Sequence, residues 1–434
     1  MKVFFDIIGC RLNQSEVESL GNIFRALGHE VVGDPSEADL AVVNTCAVTV
    51  KAAADSRKKL RRAARKGAAR VVATGCWATL YPEKALTLEG VTDVVTNEEK
   101  DDLVSKILGL SPDIITKLNL VRKPLAGDRG RTRAFIKVQE GCDHHCTYCL
   151  TRIARGKSRS RPLHEISRDI QAALAGGARE IVLTGVQLGG WGHNLLGSKG
   201  MADLLEGVLS IDGYDRLRLS SIEPWDFSPD LLKFWSDERL CRHLHIPLQS
   251  GSDPILKKMG RPITALAYHR LIDGIRETLP EIAITTDIIT GFPGETEEDF
   301  TTTKQFLNDI GFAGGHVFTY SPRPETAAFK MKGRVPVSAA KERNAILRVV
   351  TSESGRVYRE RFIDRHKKVL WESSRKNEDG TWELSGLTDN YIRVYANAKD
   401  DLWNQITNVH LAAHHDGRNA LIGILDEKED GYEN

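Results

Sequence analysis

Three apolar runs near the start of the chain each close on a cysteine. "VFFDIIG" leads to Cys10, "ADLAVVNTC" ends at Cys46 and "ARVVATGC" ends at Cys76. Helical stretches such as "QSEVESLGNIFRALG" separate them, so strand and helix patterns alternate over residues 1–118. That alternation predicts an α/β domain with a doubly wound parallel sheet. In open sheets of this kind, ligands gather beyond the carboxyl ends of the strands. Three thiols placed there, one per strand, can converge on a point. Taken singly, each is a small buried cysteine filling a strand end; as a set they favour a ligand role.

At 434 residues the chain has room for further domains. Residues 119–134, "NLVRKPLAGDRGRTRA", read as a basic linker with Pro and Gly. Six strand patterns then follow between residues 135 and 345, from "AFIKVQEG" through "EIVLTG", "RLRLSSI", "HLHIPL" and "AITTDIITG" to "GGHVFTY". Helical patterns interleave with them, which predicts a partial (βα)6 barrel. Residues from about 338 to 360 have helical spacing, and a connecting helix between domains is expected over 346–361. Short strands with Asp-Gly and Asn turns follow over 362–426 and suggest a small antiparallel β-barrel of OB-like size. Residues 427–434 form an acidic tail.

Sixty basic residues face 59 acidic ones, for a net charge of +1, so any nucleic-acid surface must come from local patches. No run is long and apolar enough to cross a membrane, and the opening "MKVFFDIIGC" lacks the apolar stretch of a signal peptide. Seven cysteines in a chain expected to be cytoplasmic point to metal or redox chemistry rather than disulfides.

The densest motif is "EGCDHHCTYCLT", in which Cys142, Cys146 and Cys149 form C-x3-C-x2-C. With His144 or His145 as a fourth ligand it reads as a structural zinc site, and the chain as a non-catalytic RNA-binding protein. Without a fourth ligand it reads as an iron–sulfur cluster with one iron left open. The motif, with Tyr148 before the last cysteine, resembles the signature of the radical S-adenosylmethionine enzymes. "GCRLNQSEVE", "VVNTCAVT" and "VVATGCWA", with "SSIEPW", "HLHIPLQSGSD" and "TDIITGFPGETEEDF", resemble the methylthiotransferases within that superfamily. "GLTDNYIRVYA" is similar to the core of a TRAM domain.

The resemblance implies two four-iron clusters, a radical-generating one on Cys142, Cys146 and Cys149 and an auxiliary one on Cys10, Cys46 and Cys76. S-adenosylmethionine would take the open iron of the first. The second would supply the sulfur that is transferred. The implied partners are tRNA, a small electron donor such as flavodoxin or ferredoxin, and a sulfur donor that no residue specifies. Motif likeness ranks N6-threonylcarbamoyladenosine first as substrate, N6-isopentenyladenosine second and an aspartate of a ribosomal protein third. Two departures stand out: "LTRIARG" follows Cys149 where relatives read Ile-x-Pro, and Glu325 occupies a usual glycine position.

Barrel chemistry sits at the carboxyl ends of strands. Those ends carry Gly185, Gln187, Glu223, Gln249 with Ser250, Asp287 and Tyr320. With Tyr148, this set is expected to line the cofactor. Each alone also reads as a cap, a turn or an ion pair. His243 and His245 alternate on one strand and are expected in the core, as is Cys241.

Three basic stretches flank the cysteines. "SRKKLRRAARKGAAR" has eight Lys or Arg in fifteen residues. The linker adds Arg122, Lys123, Arg129, Arg131 and Arg133. "ARGKSRSRP" sets Arg155, Lys157, Arg159 and Arg161 at every second position, on one side of an extended segment, as an expected RNA contact. Against this, residues 362–426 carry eight basic and ten acidic side chains.

Overall fold

The computed structural model describes residues 1–123, 132–198 and 200–426. Its first sheet has the order β2-β1-β3-β4-β5, with every pairing parallel. The strands are β1 (Lys2–Ile7), β2 (Glu30–Val32), β3 (Leu40–Thr45), β4 (Arg70–Gly75) and β5 (Val91–Val95). Helices α1 (Arg11–Ala26), α2 (Val50–Arg65) and α3 (Cys76–Leu80) follow β1, β3 and β4. β3 is buried at all six positions because it is central and covered on both faces, which explains its unbroken apolar run. Short helices α4 (Pro82–Leu86), α5 (Leu103–Leu108) and α6 (Pro112–Thr116) complete the domain.

The middle of the chain forms an open arc of parallel strands. β6 (Arg133–Lys137) pairs with β9 (Glu180–Thr184), which pairs with β10 (Arg216–Leu219). β11 (His243–His245), β12 (Ala283–Thr290) and β13 (Gly314–Thr319) form the second half. Isolated bridges Leu217↔Leu240 and Ser221↔His245 join the halves, so the six strands run in chain order. The outer helices are α8 (Leu163–Ala175), α9 (Met201–Leu209), α10 (Asp253–Lys258), α11 (Ala265–Thr278) and α12 (Glu297–Ile310). A small ribbon, β7 (Gln139–Glu140) with β8 (Arg159–Ser160), brackets the cysteine loop and the short helix α7 (Thr151–Arg155).

The connecting helix α13 runs Val337–Glu360, as the helical spacing of 338–360 leads one to expect, so it begins nine residues before the domain boundary set at 346. Pro336 at its N-cap sets that start, since proline lacks the N–H that a helix interior needs. Beyond it, β14 (Arg365–Lys376), β15 (Trp382–Thr388), β16 (Arg393–Ala398), β17 (Ile406–His414) and β18 (Leu421–Leu425) close a barrel in the order β14-β15-β16-β18-β17. One closing pair, β16 with β18, is parallel and the rest antiparallel. Fully buried Trp371, Val369, Leu384 and Val409 fill its core.

This barrel is fastened to the arc by arginines. Arg216 donates to the carbonyls of Leu387 and Lys368, and Arg218 to those of Asp389 and Thr388. Glu180 holds Arg218 in place at 2.6 Å.

Candidate active site

Cys10, Cys46 and Cys76 lie directly beyond the carboxyl ends of β1, β3 and β4, three neighbouring strands. All three line one cavity of about 1420 Å³. Glycines precede two of them for a steric reason. A Cβ on Gly75 (φ 88°) would come 2.4 Å from the Thr45 carbonyl oxygen, and one on Gly9 (φ 132°) would come 2.6 Å from Asn13 Nδ2. Burial pushes the Cys46 thiol up to about 11, and the neighbouring Cys76 and Cys10 add to the rise. Such a thiol ionises at neutral pH only when a cation binds it. The Asn97 side-chain amide reaches Cys76 Sγ at 3.9 Å and the Ala154 carbonyl at 2.7 Å.

The second triplet is local. The Cys149 N–H donates to the Cys146 carbonyl at 3.0 Å, making one tight turn. Burial raises Cys142 to about 12 and Cys146 to about 11, while the Arg261 guanidinium pulls Cys146 back down. Arg261, which sequence reading missed, is buried. It pairs with Glu223 at 2.8 Å, stacks over Trp225 at 4.6 Å and reaches the Tyr148 hydroxyl at 3.4 Å. Tyr148 packs edge-on to Phe292, which packs edge-on to Tyr320.

The zinc alternative loses its histidines here. Trp225 Nε1 donates to His144 Nε2 at 2.9 Å, and Gln187 and Asp226 crowd the same nitrogen at 2.8 and 3.2 Å. His145 is exposed. Among the described residues no three His, Cys, Asp or Glu surround a point as ligands of a single ion. The thiolates of a four-iron cluster each bind a different iron, so their sulfurs stand further apart than the ligands of one zinc.

The expected cofactor set divides. Gly185 and Asp287 line the large cavity. Asp287 pairs with His245 at 3.3 Å and leaves its buried Oδ1 without a partner. Glu223 serves the cysteine loop through Arg261. Gln187 is buried and buttresses that loop from behind, accepting from the Asp143 N–H at 3.1 Å. Gln249 adopts φ 75° and splices its backbone into β12, its N–H bonded to the Asp287 carbonyl. Ser250 is buried against Thr303. His243 and His245 share Thr285 Oγ1, and Cys241 is buried.

Arg155 corrects the RNA expectation. α7 turns it inward, where it is 1% exposed and bonds Glu16 at 2.7 Å, Glu140 at 2.6 Å and Asn13 at 2.5 Å. Lys100 joins Glu16 at 2.8 Å. Glu16 and Asn13 belong to the helix after Cys10, and Glu140 and Arg155 flank the loop triplet, so one buried charge network ties both cysteine frames together. Arg161 is likewise held, by Asp169 at 2.7 Å and Glu165 at 3.2 Å. Lys157 and Arg159 remain exposed. In the linker, Arg122 is buried on Glu18 at 2.9 Å and the half-buried Arg133 pairs with Glu372 at 2.5 Å; Arg129, Arg131 and the acidic tail lie outside the described residues. On α2, Lys58, Arg61, Arg62 and Arg65 form an exposed basic face.

Comparison with known proteins matches this two-part architecture. Residues 136–307 fit the radical SAM superfamily, and residues 2–97 fit the uncharacterized protein family UPF0004. The threonylcarbamoyladenosine tRNA methylthiotransferase MtaB of Thermotoga maritima is 38% identical over 85% of this chain and 86% of its own. The chain belongs to the radical S-adenosylmethionine methylthiotransferase family. The MtaB of Bacillus subtilis is 32% identical over 94% of this chain and 93% of its own. The tRNA-2-methylthio-N(6)-dimethylallyladenosine synthase of Geobacter metallireducens is 32% identical over 98% of both chains. Among solved structures, the radical S-adenosylmethionine methyltransferase TsrM of Kitasatospora setae shares the fold at TM-score 0.57 and 17% identity, over 76% of this chain and 77% of its own.

As a member of the family the chain is an enzyme that uses S-adenosylmethionine and two four-iron clusters. The residues present fit those groups: two sets of three thiols, all but the exposed Cys10 partly or wholly withdrawn from water, and an amide or guanidinium beside each set. No helix among the described residues is long and apolar enough to cross a membrane.

Proposed function

We propose that this enzyme places a methylthio group on C2 of N6-threonylcarbamoyladenosine next to the anticodon of a tRNA. The observation that carries the reading is the large cavity. Its three cysteines sit beyond one sheet, while Arg11, Arg348, Arg359 and Arg393 and one carboxylate, Asp287, line its walls beside the buried Arg155. Such a surface suits an anionic substrate group. On the exposed edge of the arc, Phe318 is 47% exposed and His316 lies 6.1 Å from it, ring to ring. Unstacked RNA bases bind on aromatic faces of this kind.

In this reading Cys142, Cys146 and Cys149 hold the radical cluster and Cys10, Cys46 and Cys76 the auxiliary one. Bound together, these groups and S-adenosylmethionine supply hydrogen abstraction and sulfur transfer, chemistry that side chains cannot perform. The chain's own contribution is positioning. Arg261 and Glu223 fix the cysteine loop, the Arg155 network sets it against the first sheet, and the C-terminal barrel covers the amino end of the arc. Lys157, Arg159 and the exposed face of α2 remain as phosphate contacts. A small electron donor such as flavodoxin or ferredoxin and a cytoplasmic location complete the proposal. The likeness to the MtaB proteins supports the same reading.

Mass spectrometry of nucleosides from bulk tRNA tests it, comparing cells with and without the gene. The expected result is loss of 2-methylthio-N6-threonylcarbamoyladenosine with accumulation of its unthiolated parent. Loss of the dimethylallyl counterpart instead would favour the second substrate class, whose enzymes also match nearly the whole chain. An unchanged tRNA profile would contradict both.

A further inference from the structure

Arg11 follows Cys10 directly and opens α1, with its side chain on the cavity wall. The other cavity cations differ from it. Arg155 is bound to Glu16 and Glu140, Arg393 is bound to Glu372 at 2.6 Å, and Arg348 and Arg359 belong to α13, which packs on β12 and β13 and does not carry a cysteine. Arg11 has no carboxylate within ion-pair distance among the described residues. It donates instead to a neutral phenol, Tyr391 of the C-terminal barrel, at 2.9 Å. Tyr391 is itself fixed, stacked on His243 at 4.2 Å and 12°, with Arg218 5.2 Å from its ring. With Arg133, three arginines act on this phenol, and their charge overcomes burial to pull it below its ordinary value. Arg218 is paired with Glu180 and Arg133 with Glu372, so the shortage of negative charge at this corner falls on Arg11.

The chemistry of the proposed substrate matches that shortage. On adenine, C2 and the N6 substituent both flank N1 on the same edge. A nucleotide whose C2 approaches the sulfur-bearing end of the cavity therefore brings its N6 substituent to the residues around Cys10. A threonylcarbamoyl substituent ends in a carboxylate and a hydroxyl, whereas a dimethylallyl substituent is purely apolar. A guanidinium grips a carboxylate through paired charge-assisted hydrogen bonds and gains nothing from an alkene.

We propose that Arg11 is the specificity-determining residue for the N6 substituent, its guanidinium binding the threonylcarbamoyl carboxylate while Tyr391 holds the side chain in place. This rests on the substrate reading given above. One charge-assisted pair corresponds to about 10- to 100-fold in affinity.

The test is anaerobic binding of the cluster-loaded enzyme to three anticodon stem-loop RNAs, identical except at the target adenosine. One carries threonylcarbamoyladenosine, one dimethylallyladenosine and one plain adenosine. Wild type is expected to bind the first about 10- to 100-fold tighter than the third. Arg11→Gln should bring that ratio to within about threefold and leave affinity for plain adenosine unchanged. Tyr391→Phe, a change in a different domain, should lower the same ratio part-way with iron content intact.

If both variants keep the wild-type ratio, the inference is overturned. It is equally overturned if Arg11→Gln weakens all three RNAs alike, which marks a phosphate contact. Loss of iron in Arg11→Gln with a preserved ratio in Tyr391→Phe would show Arg11 balancing thiolate charge instead, again against the inference. A wild-type enzyme that prefers the dimethylallyl RNA would sink the substrate reading itself, whatever the variants do.

Discussion

The two cysteine triplets solve one problem in opposite ways. Cys142, Cys146 and Cys149 occupy a single loop, and a tight turn brings them together. Cys10, Cys46 and Cys76 come from three strands and meet only because β1, β3 and β4 are neighbours in a parallel sheet. The loop triplet depends on supporting side chains, chiefly Arg261, Gln187 and His144. The strand triplet depends on the whole domain being folded. A site assembled from a sheet is stiff and distant in sequence; a site carried on a loop is compact and needs a buttress.

The largest effect should come from the cysteines themselves. Cys142→Ala should abolish cleavage of S-adenosylmethionine to 5′-deoxyadenosine. Cys46→Ala should leave that cleavage running and abolish methylthio transfer, as read by chromatography of the nucleoside and the cofactor products. If Cys46→Ala also stopped cleavage, the two sites would not be separable.

Next in size is the link between the triplets. Arg155→Met leaves Glu16 and Glu140 buried without their main cation, which should cost about 3–5 kcal/mol in urea denaturation. Iron should be lost from both frames, because the network touches both. A change confined to one triplet would show that the frames are independent.

The docking of the C-terminal barrel offers a pH test. Burial alone would raise Glu180, but the charges and hydrogen bonds of Arg218 overcome it and bring the group from 4.5 down to about 2. A depressed carboxylate stabilises the fold fully above its unfolded value and loses that contribution as pH falls toward its folded value. Melting curves of the wild type should therefore show a loss of about 3 kcal/mol between pH 4.5 and 2. Glu180→Gln should be less stable at pH 7 and flatter across that window. The smallest effect belongs to the buttress: Asp226→Asn should weaken the loop by about 1 kcal/mol and speed iron loss to a chelator there, with the strand triplet unaffected.

Much of this was legible in the sequence. Apolar runs closing on cysteines revealed the sheet and its ligand end, since a buried central strand such as β3 must be continuously apolar. The six strands of the arc and the barrel strands were visible by the same periodicity. Side-chain direction was not. Arg155 and Arg159 share a spacing pattern, yet α7 turns the first inward onto Glu16, 139 residues away, while the second stays in water. A pairing at that separation leaves no local trace beyond the acidic residues in "NQSEVE". Tyr391 reaches the cavity through a turn at φ 64°, again without a sequence signal. Glu325, which departs from the family pattern, finds the Tyr81 hydroxyl on the first domain and so joins two parts of the fold.

Iron counting tests the central claim most directly. Wild type, a variant with Cys10, Cys46 and Cys76 all changed to Ala, and one with Cys142, Cys146 and Cys149 changed likewise would be reconstituted anaerobically and assayed for iron and sulfide per chain. Two separate four-iron sites predict about 8 irons in the wild type and about 4 in each variant. About 4 in the wild type, or none in either variant, would contradict the account of two separate clusters held by these six cysteines.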